Sequence, residues 1–435
     1  MKRKIILITR YPEPGKCKQR LSILAGEANA AHIQKIMIMT ILESCREYLS
    51  TDPAALEVCY TGASEEKMRS ICGDALYKEQ TEGDLGSKLS TAFERSFDEG
   101  YSEVLAIGTD IPDISLAVIQ SAFDSLKTND IVVGPAYDGG YYLIGMKSGH
   151  PKLFTQEIPW GGDRVFEKTL RIAGKRSLSA GVLKKLLDID RPEDIFRINN
   201  PKIVNDLPNP LISVIIPVLN EEKYLAGTLE FFRDRKNIEV IVSDGGSTDG
   251  TVGIAERFSC KVIRSDKGRA VQQNSGAAAA GSSVLLFLHA DTILPQDFEY
   301  EVFKTLSAKK TACGAFNLKI SGKKKHLLFV SLLINIRSTL FGSPYGDQAL
   351  FMTKRTFEKA EGFKELFIME DYEFVSRLKK TGRIRISGKK VITSGRRWDT
   401  VGLLRTFFIN MKMRILFHAG TDSEKLRRIY YKQRI

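Results

Sequence analysis

The sequence predicts an α/β protein of two tandem domains, each a mainly parallel sheet flanked by helices. Three observations predict it. Short runs rich in Val, Ile and Leu recur in both halves: Lys4 to Thr9, Val104 to Gly108 and Asp130 to Gly134, then Ile212 to Val218, Val240 to Ser243 and Val284 to Leu288. Strands covered on both faces read as near-continuous apolar runs of this kind. Helical segments such as Ala28 to Leu49 and Leu225 to Asp234 alternate with them, an order that builds parallel sheets. Finally, 435 residues make two or three domains at roughly 100 to 200 residues each. Pro201, Pro208 and Pro210 mark an extended linker, which places the domains at residues 1–205 and 206–435.

Charge divides the halves. Residues 1–208 carry 27 Lys and Arg against 29 Asp and Glu, and residues 209–435 carry 38 against 23. A basic excess often marks nucleic-acid binding, but no helix-turn-helix, zinc-finger or aromatic-basic stacking motif accompanies it, so no nucleic-acid partner is expected. Phosphorylated donors or an anionic membrane surface account for the charge better. Two segments point to membrane-surface contact: Lys323-Lys324-Lys325-His326 precedes the apolar stretch Leu327 to Ile336, and Val401 to Phe417 mixes Leu, Phe and Met with Arg405, Lys412 and Arg414. Neither reaches the about 20 apolar residues of a spanning helix. The second has the period of a helix lying in an interface or packed on its own domain.

The six cysteines, Cys17, Cys45, Cys59, Cys72, Cys260 and Cys313, show no metal-binding spacing, and Met1-Lys2-Arg3-Lys4 leads straight into a strand. A cytoplasmic, reducing compartment is therefore expected, with peripheral contact at the inner face of the cell membrane as the second expectation. The thiols read as packing residues. Cys17 is the one to watch, because its cationic loop favours a thiolate.

Each C-terminal apolar run ends in a carboxylate or amide: Pro217-Val-Leu-Asn220-Glu221, Ser243-Asp244 through Asp249-Gly250, and His289-Ala290-Asp291. Ligands bind such sheets at the carboxyl ends of the strands. A nucleoside diphosphate there needs a base and ribose clamp and a hard cation, for which Asp244 and Asp291 offer oxygen ligands. Glu370 and Asp371 add an acidic pair able to take a proton. Asp249 serves equally as a ligand or as the cap of the helix that begins near Val252, and His289 reads as a buried, hydrogen-bonded histidine. Lys267 and Arg269 flank Gly268 before a small-residue helix, Gly276 to Gly281, where cations can meet phosphate.

The first half offers different chemistry. Its first strand opens into a loop with four cations, Arg10, Lys16, Lys18 and Arg20, around Gly15, a shape that wraps phosphates with amides and cations. Its later strands open into Asp110 and Asp113, and into Asp138-Gly139-Gly140, carboxylates able to seat a second cation.

By these motifs, residues from about 210 to 400 resemble an inverting glycosyltransferase of family 2 with the GT-A fold. The resemblance implies that Pro217, Asn220, Glu221 and Asp244 line the nucleotide pocket and that Asp291 closes the motif, usually Asp-x-Asp, that holds Mg or Mn. Here His289 stands for the first acid, leaving Asp291 as the sole direct protein carboxylate. Asp371, beside Glu370, matches the family's general base. Gly346-Asp347-Gln348 matches its acceptor-side loop, with Asp347 at the sugar or acceptor. Arg396-Arg397-Trp398 resembles a shortened form of the motif of processive members, without its Gln, so polymer synthesis is not implied.

Residues 1 to about 200 resemble a small group of GT-A-like transferases, the DUF2064-like proteins, named for neighbours in selenium and arsenic gene clusters and linked to arsenosugar biosynthesis. The carrying motifs are Arg10-Tyr-Pro-x-Pro-Gly15-Lys16-x-Lys18-x-Arg20, Gly108-x-Asp110-x-Pro-Asp113, Asp138-Gly-Gly-Tyr-Tyr142 and Ile158-Pro-Trp160. The segment is also similar to nucleotidyltransferases that activate phospho-compounds. Because the second half resembles the partner family of those clusters, the chain looks like a fusion. What the resemblance implies is inverting sugar transfer from a nucleotide-sugar donor to a small or lipid-linked acceptor, dependent on Mg or Mn, beside a second transferase domain. One alternative is that the N-terminal domain is a nucleotidyltransferase making the activated donor. Another, from a different class, is a non-catalytic scaffold on a membrane surface.

Overall fold

A computed structural model describes residues 2–147, 153–197, 203–204, 206–322, 326–395 and 403–432. Lys323 to Lys325 and the expected site residues Arg397 and Trp398 lie outside the described residues. The chain divides into two compact units, with the main division between Pro208 and Asn209.

The first unit holds seven strands, β1 (Arg3–Arg10), β2 (Ala54–Thr61), β3 (Leu76–Glu79), β4 (Glu103–Gly108), β5 (Ile131–Pro135), β6 (Tyr141–Lys147) and β7 (Ala180–Val182), in the order β3-β2-β1-β4-β6-β5-β7. Within it, β6 runs antiparallel to its neighbours β4 and β5. Ile5 and Leu7 pack with Ile41, Leu105 and Phe123 on one face of the sheet. Ile6, between them, packs with Phe93, Ala106 and Ile144 on the other. Alternate side chains therefore both meet helices, which is why the run is apolar throughout rather than every second residue. Lys4 is the exception, fully buried with its ammonium 2.7 Å from Glu57 and 2.7 Å from Glu99. A buried charge persists only when paired in this way.

The second unit holds β8 (Ile212–Val218), β9 (Ile238–Asp244), β10 (Lys261–Arg264), β11 (Val284–Phe287), β12 (Thr292–Ile293), β13 (Thr311–Ser321), β14 (Phe351–Thr353) and β15 (Arg383–Ser394), in the order β10-β9-β8-β11-β14-β13-β15-β12. Its first four strands are parallel, and β14 is antiparallel to both β11 and β13. Both sheets thus run third, second, first and fourth strand and then an antiparallel one. The repeat lies in topology, since the halves show no residue-level repeat.

The small-residue helix is Arg269–Ala279, starting earlier than its small residues suggest. It lies so close to β8 that a Cβ on Gly276 would come 2.5 Å from Ile215 Cγ2. Among the described residues, no helix is long and apolar enough to cross a membrane.

Candidate active site

The carboxyl ends of β8 and β9 lie in register, Val218 opposite Asp244 and Pro217 opposite Ser243. Gln272 fastens them, its side-chain N–H donating to the carbonyls of Val218 (2.6 Å) and Ser243 (2.9 Å). The loops that follow are zipped together. Asn220, at a positive φ of 56°, donates its N–H to Ser247 Oγ (2.9 Å) and accepts with Oδ1 from the Thr248 N–H (2.8 Å). Asp244, buried, accepts from the N–H groups of Gly246 and Ser247, each at 3.1 Å. The Glu221 N–H donates to Thr251 Oγ1 at 2.8 Å. Four residues read from sequence, Pro217, Asn220, Glu221 and Asp244, are therefore gathered at one sheet edge. Asp249 stands just before Gly250, the N-cap of the helix Thr251–Arg257, and its carboxylate accepts from the Thr251 hydroxyl (2.5 Å) and N–H (3.0 Å). The Thr251 hydroxyl is the main cause of its lowered pKa.

From β11 the chain enters His289-Ala290-Asp291, pinned where Thr228 Oγ1 donates to the Ala290 carbonyl at 2.7 Å. The acidic pair opens the helix Glu370–Leu378, reached through Met369 at φ 71°. Asp371 Oδ2 accepts from the Gly346 N–H and Oδ1 from the Tyr372 N–H, each at 2.7 Å. A Cβ placed on Gly346 would lie 3.2 Å from His289 Nε2 and 3.4 Å from Asp371 Oδ2. Three motifs far apart in sequence thus converge on Gly346.

Glu370 is buried, with Arg269 Nη1 3.6 Å from its carboxylate. Burial first, and then the Asp371 charge, push the Glu370 pKa up, while Arg269 opposes them. That contact ties the cationic loop to the acidic pair. Lys267 stays exposed. Gln348, expected at the ligand, is instead fully buried: it donates to the Phe316 carbonyl (2.9 Å) and accepts from the Ser338 hydroxyl (2.6 Å), so it braces the loop while neighbouring Asp347 is half-buried. Sequence reasoning missed Tyr372, whose hydroxyl is hydrogen-bonded to His418 Nε2 at 2.7 Å, and Tyr345, whose ring meets that of Tyr372 at 6.3 Å. Tyr372 was visible as the neighbour of Asp371; nothing in the sequence joined His418 to it. Among the described residues, no three His, Cys, Asp or Glu side chains form a group that could hold a metal.

In the first unit, the cationic loop is largely paired within the protein. Lys18 lies 2.6 Å from Asp110 and donates to the Ile189 carbonyl at 2.6 Å; Arg20 lies 2.6 Å from Asp190 and Lys16 2.9 Å from Glu13. Arg10 reaches the Lys16 carbonyl at 3.4 Å. The loop, expected to offer four cations around Gly15, thus brings three of them to carboxylates. Cys17 is not activated: burial pushes its thiol up, with Lys18 and Arg10 opposing. Asp138 accepts from the Gly140 N–H at 2.8 Å, and Gly139 is obligatory, since at φ 93° a Cβ would meet the Asp163 carbonyl. Asp113 is raised by burial, Lys184 opposing. Asp188 was missed; burial and then the Asp138 charge raise its pKa. The segment Leu186 to Asp190 runs beside both expected acidic loops, Leu186 bridging Ala136 and the Ile189 N–H donating to the Asp110 carbonyl at 2.9 Å. The acidic Asp188-Ile-Asp190 was its available signal.

Residues 44–162 match the family described as an uncharacterized protein conserved in bacteria, DUF2064, and residues 213–355 match glycosyl transferase family 2. Among curated relatives, the 3-phospho-D-glycerate guanylyltransferase of Phenylobacterium zucineum is 24% identical over 182 residues, 41% of this chain and 81% of that protein. The dolichyl N-acetyl-alpha-D-glucosaminyl phosphate 3-beta-D-2,3-diacetamido-2,3-dideoxy-beta-D-glucuronosyltransferase of Methanococcus voltae is 30% identical over 128 residues, 25% of this chain and 40% of that protein. The chain thus spans less than half the length of this second relative. A solved protein of Desulfovibrio desulfuricans G20, provisionally named a nucleotide-diphospho-sugar transferase, is 31% identical over 47% of this chain and 91% of its own, with a TM-score of 0.43.

Proposed function

The chain joins a DUF2064 domain to a glycosyl transferase family 2 domain, and on that premise we propose that its C-terminal half moves a sugar, with inversion, from a nucleoside diphosphate donor to an acceptor hydroxyl. One observation carries the reading: the Asp371 carboxylate, oriented by two N–H donors, faces the same point beside Gly346 as His289 of the strand-end motif. Pro217, Asn220, Glu221 and Asp244 hold the nucleoside, and Arg269 and Lys267 stand on the side of the diphosphate. The acceptor oxygen attacks the anomeric carbon from the face opposite the leaving group. The bond from that carbon to the diphosphate breaks, its electron pair leaves with the diphosphate, and the hydroxyl proton passes to Asp371.

A divalent cation, Mg or Mn, fits Asp291. Such an ion is commonly bound through one or two carboxylates plus substrate phosphates and water, a part that one strand-end aspartate can take. The ion would neutralise charge on the departing diphosphate. Glu370 positions Arg269.

The test is a screen of nucleotide sugars on the intact chain, Asp371→Asn and Asp291→Asn, with and without Mn, read by thermal shift and by NMR of the product anomer. Asp371→Asn should keep the donor-induced shift and lose transfer; Asp291→Asn should lose the metal-dependent part of the shift. Product of retained configuration, or full transfer by Asp371→Asn, would sink the assignment.

For the N-terminal half, the match to a guanylyltransferase favours nucleotidyl transfer to a phosphate-bearing substrate. A phosphate oxygen attacks the α-phosphorus of a nucleoside triphosphate and pyrophosphate leaves, with Lys18 and Arg20 exchanging Asp110 and Asp190 for phosphate. Pyrophosphate release from GTP that survives Asp371→Asn but not Lys18→Ala is the expected result; release lost with Asp371→Asn would refute it.

A further inference from the structure

The helix His326–Phe341 seats polar side chains on the sheet beside its buried Leu327 and Val330. Its polar side chains face the sheet: Ser331 Oγ accepts from the Ile320 N–H (3.1 Å), and Asn335 both accepts from the Leu318 N–H (2.7 Å) and donates to the Leu318 carbonyl (3.0 Å). Ser338 donates to Gln348. Most of its other apolar side chains face outward. Leu328, Leu332, Ile336 and Leu340 are 63%, 54%, 44% and 72% exposed, one stripe at four-residue spacing, with Phe329 and Phe341 also exposed. Helices packed on a domain in water show the opposite arrangement, and an apolar surface of this extent marks a contact with something apolar.

A second helix, Leu403–His418, also exposes apolar side chains. Phe408, Met411 and Ile415 are exposed along one of its faces, and a cavity of about 430 Å³ is lined by Met411, Arg414, Ile415 and His418. The two helices are linked beside the base. Arg337 lies 3.7 Å over the Tyr345 ring, Tyr345 meets Tyr372, and Tyr372 is hydrogen-bonded to His418. Tyr372 directly follows Asp371, so the cavity is joined to the acidic pair through the Tyr372–His418 hydrogen bond.

Charge decides what covers this face. Between 411 and 432 stand six Lys and Arg, among them Lys412, Arg427 and Arg428, against Asp422 and Glu424. The helix Ser423–Lys432 packs on Leu403–His418 through Leu426 and Tyr430, and Arg414 lies 5.3 Å over the Tyr372 ring, in the same linked cluster as Arg337 of the first helix. A second copy of the chain would set like charges together. An anionic bilayer takes both features at once, apolar side chains into the acyl boundary and cations among the headgroups.

We propose that this face docks the chain on an anionic lipid surface and so presents a lipid-borne acceptor hydroxyl to Asp371. Docking stands on the surface itself; the acceptor clause rests on the transferase reading above. The intact chain is sedimented with vesicles of phosphatidylcholine alone and of phosphatidylcholine with phosphatidylglycerol, beside the double variant Leu332→Glu with Leu340→Glu. The intact chain should bind the anionic vesicles in preference, less as salt rises. The variant should bind roughly a hundredfold more weakly, about tenfold for each leucine kept out of the acyl boundary, with unchanged melting temperature and unchanged donor-induced shift in solution. Indifference of the intact chain to anionic vesicles, undiminished binding by the variant, or self-association abolished by the variant in place of vesicle binding would each overturn docking. A labelled donor sugar recovered in the organic phase after incubation with lipid extract supports the acceptor clause, and recovery only in the aqueous phase overturns it. A chain that binds vesicles but no nucleotide sugar would refute the transferase reading and leave docking intact.

Discussion

Asp371 and Glu370 are adjacent, yet the fold gives them different work. Asp371 is half-buried with its oxygens turned to N–H donors, whereas Glu370 is buried against a cation. The raised pKa of Glu370, caused chiefly by burial, means that the folded chain holds this proton to higher pH than the unfolded chain does. Stability therefore falls as pH climbs from the ordinary glutamate value, about 4.3, through the raised one. Glu370→Gln escapes that loss, and its lost contact with half-exposed Arg269 costs little. The melting temperature of the variant should overtake that of the parent as pH rises above about 4.3, with the gap closing in acid. A gap that widens toward acid would show that Glu370 is held ionised. Gly346 is the other sensitive position. A methyl group there would press on both His289 and Asp371 at 3.2–3.4 Å, so Gly346→Ala should keep its melting temperature and lose about a hundredfold in kcat, the scale of a small misplacement of reacting groups; unchanged kcat would remove Gly346 from the site.

At the scale of elements, the apolar runs made the strands legible because burial on both faces leaves a continuous signature, and the strand-end motifs made legible which loops gather at the carboxyl ends of β8 and β9. The rest was hidden for physical reasons. Gln348 looked like a ligand because its neighbours did; only the packing of the helix His326–Phe341 shows its amide consumed by Phe316 and Ser338. His418 reaches Tyr372 from a helix 46 residues away, and no local pattern encodes that distance. The pairing of Lys18 with Asp110 was likewise a tertiary fact. The apolar stretch Leu327 to Ile336 showed its composition but not which side faced water. Its orientation depends on Asn335, which acts as a substitute strand for Leu318. Asn335→Leu leaves that N–H and carbonyl without their partner, and should destabilise the C-terminal unit by about 2 kcal/mol, measured by chemical denaturation of the intact chain. No loss would mean that the helix is seated by its apolar contacts alone.

Over the whole molecule, two sheets that share the order of their first four strands carry opposite charge balances: 27 Lys and Arg against 29 Asp and Glu in residues 1–208, and 38 against 23 in residues 209–435. Shared topology cannot account for that difference, because strand order places loops without fixing their charge. Function can. In the first half the loop cations are matched by carboxylates such as Asp110 and Asp190, which the proposed nucleotidyl transfer would have a phosphate displace. In the second, part of the surplus, six Lys and Arg against two acids between 411 and 432, lies on a helix pair that also exposes apolar side chains. Each half also has its own sheet and buried core, the condition for folding alone. Residues 209–435 produced separately should therefore keep both the donor-induced thermal shift and binding to anionic vesicles, with the same salt dependence as the intact chain. Residues 1–208 should bind a nucleoside triphosphate and ignore the vesicles. Vesicle binding by the first half would show that the cations of the Arg10 to Arg20 loop exchange their carboxylates for lipid phosphate, and would move the membrane contact to the opposite end of the chain.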